Sequence, residues 1–335
     1  MRRDGNGARC DIVLLVDEEV GERNGSGRFV VEPRTMEAHV LHSLQEQQRK
    51  VCVLPFDPKI VPTIEALRAL RPRLVFNLTE WVRGNRRLDA AIVGVLEMMN
   101  LRYTGAGPAA MRLARDKALA KNIVAGAAVA VAAHTLINGR RPVTGRLTFP
   151  LIVKPQFGDG SDEIGNGALV RSERDLARRV DAIRRRTRDP LICEEFIPGR
   201  DLFVALLGNE PRVMPPLELM IGRHGAGAPR FATFRVKNDA SYRTRWRIRY
   251  RQPELPAAVL QEIEDASRRV FHALGLRDYA RIDYRLAPDN RLVFLEANPN
   301  PDLTRDTFGR DRCFAGVTYA TLIASIVEAA LSRPR

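Results

Sequence analysis

Three short apolar runs, DIVLLVD (11–17), KVCVLPF (50–56) and RLVFNLT (73–79), are spaced by amphipathic stretches near 35–49 and 62–70 and followed by another at 88–99. Runs that are apolar throughout, rather than alternating, predict strands buried on both faces. Strands that take turns with helical stretches predict a parallel sheet with helices packed on it.

Glycines and a proline in YTGAGP (103–108) mark a turn, and two helical segments are predicted over 108–130. The pattern then changes. FPLIVKP (149–155) reads as a strand, QFGDGSDEIGNG (156–167) as a glycine-rich loop, ALV (168–170) as a return strand, and 172–186 as a helix capped by Ser172. Further on, LICEEFI (191–197), DLFVALL (201–207) and PRVMPPLEL (211–219) follow one another as strands. After a helix at about 256–274 come YARIDYRL (279–286) and RLVFLEAN (291–298). The expected class is α/β, becoming α+β toward the C-terminus.

At 335 residues and 45% hydrophobic content, the chain can build two or three cores. Its longest weakly polar stretch, IVAGAAVAVAAHTLI (123–137), is shorter than the roughly 20 residues of a bilayer span and predicts a buried helix. The apolar part of the N-terminus, about five residues, is too short for a secretory signal, so the expected location is cytoplasmic. Cys10, Cys52, Cys193 and Cys313 lie far apart with no C-x-x-C, which suggests neither a zinc site nor a disulfide framework. The formal charge of +14 admits nucleic acid, an acidic substrate or a plain arginine bias. Lysine occurs only at 50, 59, 117, 121, 154 and 237, so each lysine is a marked position.

In ARIDYRL, Arg281 and Asp283 alternate with apolar residues; in FLEAN, Glu296 and Asn298 share a face by period two. Asp289 and Asn290 mark a hairpin turn between them. Two carboxylates and an amide, without histidine or thiol, make a hard-cation set suited to magnesium carrying nucleotide phosphates. The alternative is a polar strand edge paired with arginines. A second phosphate signal is VKPQFGDGS, where Lys154 leaves a strand and a glycine loop offers backbone N–H groups. It is not a P-loop, because the lysine precedes the glycines.

Taken in order, VFNLTEWVRGNRRLDAAIVGVLEMMNLRYTG, ARDK, FPLIVKP, EEFIPGRD, FRVKND, ARIDYRL and LEANPNPDLT resemble the ATP-grasp superfamily, and most nearly the D-alanine–D-alanine ligases and their relatives, from about residue 74 onward. The resemblance implies an ATP-grasp fold with an N-terminal Rossmann-like parallel-sheet domain, divided into 1–107, 108–198 (a lid subdomain) and 199–335 (the catalytic subdomain). It implies that Asp283, Glu296 and Asn298 hold magnesium, with manganese as a substitute, between ATP phosphates. Lys117 and Lys154 would contact phosphates, with Ser161 in the phosphate loop; Glu194 and the backbone at Glu195, Phe196 and Ile197 would read adenine; Asp201 would take the ribose. Lys237 would reach the γ-phosphate and Arg281 would stabilise the charge of the acyl phosphate and tetrahedral species. The implied reaction joins a small-molecule carboxylate to an amine through an acyl phosphate, without an enzyme nucleophile. A homodimer is implied as well.

Several positions depart from the ligase pattern. The family's glycine-rich N-terminal substrate segment is absent, with Glu37 as a weak substitute for its glutamate; Asn238 stands where a tyrosine is expected and Asp302 where a glycine is expected. Asp159, Asp162 and Glu163 flank Ser161 in place of a serine-rich loop. YRTRWRIRYR (242–251) alternates, which predicts a strand with Arg243, Arg245, Arg247, Arg249 and Arg251 on one face. That face is either a solvated basic surface or a grip for an acidic substrate. Its aromatics lie on the opposite face, which argues against nucleic acid. The expectation is therefore an ATP-dependent carboxylate–amine ligase. Authentic D-alanine–D-alanine ligation is one alternative, and a non-catalytic nucleotide-binding regulator or basic nucleic-acid binder is another.

Overall fold

The computed structural model describes residues 10–138, 145, 147–158, 165–223, 225, 227–229, 231–304 and 316–334. The N-terminal part runs β1 (Ile12–Val16), a hairpin of β2 (Gly21–Arg23) and β3 (Phe29–Val31), α1 (Met36–Glu46), β4 (Val51–Pro55), α2 (Val61–Leu70), β5 (Leu74–Asn77) and α3 (Asp89–Met98). The sheet is parallel with order β4-β1-β5, as the three apolar runs predict. All five residues of β1 are buried because it is the central strand, covered on both faces.

Two helices follow, α4 (Pro108–Arg115) and α5 (Lys117–Gly126). Asp116 separates them: its side chain accepts from Leu119 N at 3.1 Å, capping α5, and from Gln156 Nε2 at 2.7 Å. The helix expected over 123–137 stops at Gly126. The chain beyond is extended, Val131 bridges to Phe294, and residues 134–137 form β6 (His134–Ile137). Sheet pairing overrides alanine's helical preference there, and Ala128, at φ 57°, turns the chain.

β7 (Leu151–Pro155), β8 (Leu169–Val170), α6 (Glu173–Arg184) and β9 (Leu191–Glu195) complete a four-stranded antiparallel sheet of order β6-β9-β7-β8. Its strands bury Leu151, Val153, Leu191 and Cys193 against Leu176, Val180 and Ile183 of α6, and this leaves Lys154, Ile192 and Glu194 on the other face. Ser172 caps α6, accepting from Asp175 N at 3.2 Å.

The C-terminal part contributes β10 (Arg200–Leu207), β11 (Arg212–Val213), β12 (Leu217–Ile221), α7 (Phe234–Asn238), α8 (Ala240–Trp246), β13 (Ile248–Arg251), α9 (Ala257–Ala273), β14 (Tyr279–Leu286), β15 (Leu292–Asn298) and α10 (Tyr319–Ser332). The sheet order is β13-β12-β10-β14-β15, with β11 on β10. The strand expected over 211–219 is split into β11 and β12 by Pro215 and Pro216, which cannot donate to a ladder. The strand expected over 242–251 is overturned in its first half. Asp239 accepts from Tyr242 N at 2.8 Å and starts α8, Tyr242 and Trp246 bury themselves one helical turn apart, and Arg247 at φ 51° ends the helix. The five arginines therefore do not share a strand face.

The turn 103–107 joins the N-terminal sheet to the C-terminal one. Gly105 N donates to Asp278 Oδ2 at 2.8 Å and Ala106 N to Asn300 Oδ1 at 3.0 Å. Gly105 has φ 87°, and a Cβ there would lie 2.2 Å from Asn300 Oδ1, so only glycine fits. Arg333, just past α10, locks the same turn: it reaches Asp278 at 2.7 Å and the Tyr103 carbonyl at 2.5 Å.

Candidate nucleotide and metal site

The site grows out of the β14–β15 hairpin. Its ladder pairs Leu286 with Leu292, Arg285 with Val293 and Tyr284 with Phe294, then slips by one residue, so that Asp283 faces Glu296 and Arg281 faces Asn298. Leu295 is the extra residue of a β-bulge. Without it, period-two alternation would keep Glu296 on the face of Phe294, which is buried in the apolar core with Tyr284. With it, Arg281, Asp283, Glu296 and Asn298 all emerge on one face. Asn298 Nδ2 lies 3.4 Å from Asp283 Oδ1.

Basic groups from four elements meet these carboxylates. Arg281 of β14 binds Asp283 in a fork, Nε to Oδ1 at 2.7 Å and Nη2 to Oδ2 at 3.2 Å. Lys237 sits on α7, whose Thr233 cap accepts from Val236 N at 3.3 Å; its Nζ lies 3.6 Å from Asp283 and 3.7 Å from Glu296. Lys117, at the start of α5, is 3.9 Å from Glu296 and donates to the Gly158 carbonyl at the head of the glycine loop. Lys154 of β7 lies 3.1 Å from Glu194 of β9, and Lys121 of α5 lies 3.7 Å from the same carboxylate.

Burial pushes the Glu296 carboxyl up, yet the ammonium groups of Lys237, Lys117 and Lys154, with Arg281, outweigh it and hold the group at about 2. Glu194 is likewise opposed by burial and held below its ordinary value by Lys121 and Lys154. Lys121 is pushed down to about 8 by burial, with Glu194 pulling the other way.

Five cations, Lys117, Lys121, Lys154, Lys237 and Arg281, thus surround three carboxylates, Glu194, Asp283 and Glu296. A largely buried cluster with surplus positive charge fits a polyanion. The donor set opposite Lys237, two carboxylates and an amide with all oxygens hard, fits a divalent ion, and a single ammonium already bridges both carboxylates. Among the described residues no group of three His, Cys, Asp or Glu side chains is placed to hold a metal ion, so the two carboxylates and the amide are the candidate set. A small cavity of about 40 Å³ opens beside Glu296 and Asn298, lined also by Met111, Arg115, Lys117 and Gly158.

The remaining expected residues lie around this centre. Asp201 of β10 is on the same sheet face as Asp283, paired with Arg285 at 3.0 Å and accepting from Ala232 N at 2.9 Å; burial pushes its carboxyl up. Glu195 accepts from Thr148 N at 2.8 Å, and Phe196 N donates to the Pro150 carbonyl at 2.9 Å, with its ring beside Phe231 and Arg285. Ile197 follows, half-buried. Ser161, with Asp159, Asp162 and Glu163, lies outside the described residues. Glu37 is buried in the first turn of α1, its carboxyl pushed up by burial, with Glu80 and Asp302 as neighbouring acids. The sequence reading missed three features: Lys121, the bulge at Leu295, and Arg285 beside Asp201. Lys121 could have been found as a lysine one helical turn after Lys117 in a chain with only six.

Residues 127–328 match the family model of the D-ala D-ala ligase C-terminus. The chain is 30% identical over 301 residues to the uncharacterized protein y4sG of Sinorhizobium fredii, covering 88% of this chain and 87% of that protein. It is 30% identical over 252 residues to a D-alanine–D-alanine ligase of Desulforudis audaxviator, covering 73% and 78%. In three dimensions it resembles the D-alanine–D-alanine ligase of Bacillus anthracis, solved in complex with ATP, at TM-score 0.71 and 17% identity, over 96% of this chain and 98% of that one. The VanG D-Ala:D-Ser ligase of Enterococcus faecalis aligns at TM-score 0.69 and 16% identity, over 96% and 99%. No helix among the described residues is long and apolar enough to cross a membrane. With the family model spanning more than half of its length, the chain belongs to the D-alanine–D-alanine ligase family, ATP-grasp enzymes that use ATP and a divalent metal to join a carboxylate to an amine.

Proposed function

We propose that this ligase works on magnesium-bound ATP, with manganese able to substitute, at the face formed by Asp283, Glu296 and Asn298. The observation that carries the reading is the convergence of Lys117, Lys237 and Arg281 on Asp283 and Glu296. Bound magnesium-ATP would supply the activated phosphoryl group. The chain's own part is positional and electrostatic. Lys117 and Lys154 hold phosphate oxygens, Lys237 neutralises the γ-phosphate, and Arg281 stabilises charge on the acyl phosphate and on the tetrahedral species formed when the amine attacks it. Glu194, with the backbone at Glu195, Phe196 and Ile197, lines the adenine side; Asp201 and Arg285 lie toward the ribose. Ser161 completes the phosphate loop. We assign this work to three units, 1–107, 108–198 and 199–335, in a cytoplasmic homodimer.

The substrates are a small-molecule acid and amine. Glu37, Glu80 and Asp302 support an ammonium-bearing end near the N-terminal sheet, since the charges of Glu80 and Asp302 both reach the buried Glu37 carboxyl. Arg223, Arg245, Arg247 and Arg249 are exposed on the α8–β13 side, beyond Lys237, and support an acidic substituent on one substrate. A phosphate-release screen of purified protein with magnesium-ATP over paired amino acids and dicarboxylates tests the reading. Release on adding D-alanine alone would identify authentic D-alanine–D-alanine ligation. No release with any pair, together with salt-sensitive retention of DNA or RNA, would replace the ligase reading with a binder.

A further inference from the structure

Lys121 touches none of the three metal-facing side chains, yet it is the most deeply buried lysine of the site, with 0% side-chain exposure. Its ammonium lies 3.3 Å from the Phe294 carbonyl and 3.1 Å from the Leu295 carbonyl, 3.7 Å from Glu194, and over the Phe294 ring at 5.7 Å. The two carbonyls are consecutive, and they belong to the residue before the ladder slips and to the extra residue itself. In a regular strand successive carbonyls point to opposite sides, so one donor reaches both only where the backbone is bent.

We propose that Lys121 is a positioning residue that pins the bulge at Leu295 and so turns Glu296 and Asn298 onto the face of Asp283. The inference rests on the metal reading given above. An ammonium has three donors and no acceptor, which matches two carbonyls and one carboxylate. Burying it is tolerable because all three partners are present; a shape-matched apolar side chain would fill the space and leave both carbonyls bare. Lys117 and Lys121 are one turn apart on α5, so a single helix face grips β15 on both sides of the slip: Lys117 at Glu296, Lys121 at Phe294 and Leu295. Backbone pairing supports the same point from the outer edge, where Phe294 N donates to the Ala130 carbonyl at 2.8 Å.

The test uses the full chain with Lys121→Met, Lys121→Gln and Glu296→Gln. Manganese affinity at saturating non-hydrolysable ATP analogue is read by electron paramagnetic resonance of the free ion, and amide exchange across 293–298 is read without ligand. Lys121→Met is expected to weaken manganese at least tenfold and to speed exchange at Leu295 to Ala297, while Lys121→Gln, which still donates, stays within threefold of the parent. Manganese affinity within twofold of the parent in Lys121→Met would overturn the proposal. Should the methionine variant not fold, Lys121→Gln decides: retained metal affinity supports the pinning role, and a tenfold loss with unchanged exchange assigns the effect to charge and overturns it. An unchanged manganese affinity in Glu296→Gln would instead sink the metal reading itself.

Discussion

Glu296 stands directly opposite Asp283 because Leu295 is squeezed out of the ladder between β14 and β15. The pair meets Lys237 and Lys117 as one electrostatic unit, so removing one charge should be felt in both catalysis and titration. Glu296→Gln is expected to lower kcat by roughly 10²-fold or more with the far-UV circular dichroism unchanged, as measured by ADP release. The folded-state carboxyl lies at about 2, below its ordinary 4.5, so its contribution to stability is present above 4.5 and is lost as pH falls toward 2. The melting temperature of Glu296→Gln should therefore fall less steeply than the parent's between pH 5 and 3.

Asp17 carries the opposite sign. Burial pushes its carboxyl up to about 6 despite hydrogen bonds from Glu80 N at 3.0 Å and Trp81 N at 3.2 Å. The folded protein binds the proton more tightly than the unfolded chain, so stability falls as pH rises from about 4 through 6, and the cost of the charged form is complete above that. Asp17→Asn keeps an acceptor for both N–H groups and should raise stability by ~1 kcal/mol at pH 8. Little of that gain should remain at pH 4, and urea melts at the two pH values would show the difference.

Arg333→Ala would strip Asp278, which has no side-chain exposure, of its guanidinium partner while leaving the carboxylate buried. Breaking a buried pair from one side costs about 3–5 kcal/mol, and the partial exposure of Arg333 puts the expected loss near the lower end. Urea unfolding followed by tryptophan fluorescence measures it; a loss under ~1 kcal/mol would mean that the turn 103–107 is held without Arg333.

The exposed arginines give a kinetic prediction. Replacing Arg245, Arg247 and Arg249 by serine should raise KM for an acidic substrate about tenfold, leave kcat and the KM for ATP within twofold, and remove the salt dependence of that KM. Equal KM values in parent and variant would make this a solvated surface with no part in recognition.

The sheets were readable because their runs carry the physics of burial in their own composition: DIVLLVD has no polar face to offer, and RLVFLEAN has one only at its end. The carboxylate–amide set was readable for the same reason. What escaped was set by tertiary context. A bulge adds one residue without altering composition, so nothing in FLEAN distinguishes a slipped ladder from a regular one. Lys121 looks like any helix lysine until its neighbours prove to be Phe294 and Glu194. The alanine-rich stretch after Ile123 has helical propensity, and the strand partner that overrides it, β9, lies more than 50 residues further on. In 242–251 the alternation of arginines suggested a strand, while the stronger signals were local: Asp239 as a cap, and aromatic rings at 242 and 246 in edge contact at 6.2 Å.

The segment 130–137 lies against the outer edge of β15 through Val131 and Phe294, and from His134, three residues later, pairs with β9 as an edge of the other sheet. One segment is thus sewn to both, at a spot adjoining the slipped ladder. Any displacement of the four-stranded lobe would therefore tug on the strand that carries the carboxylates, because the two share this stitched segment.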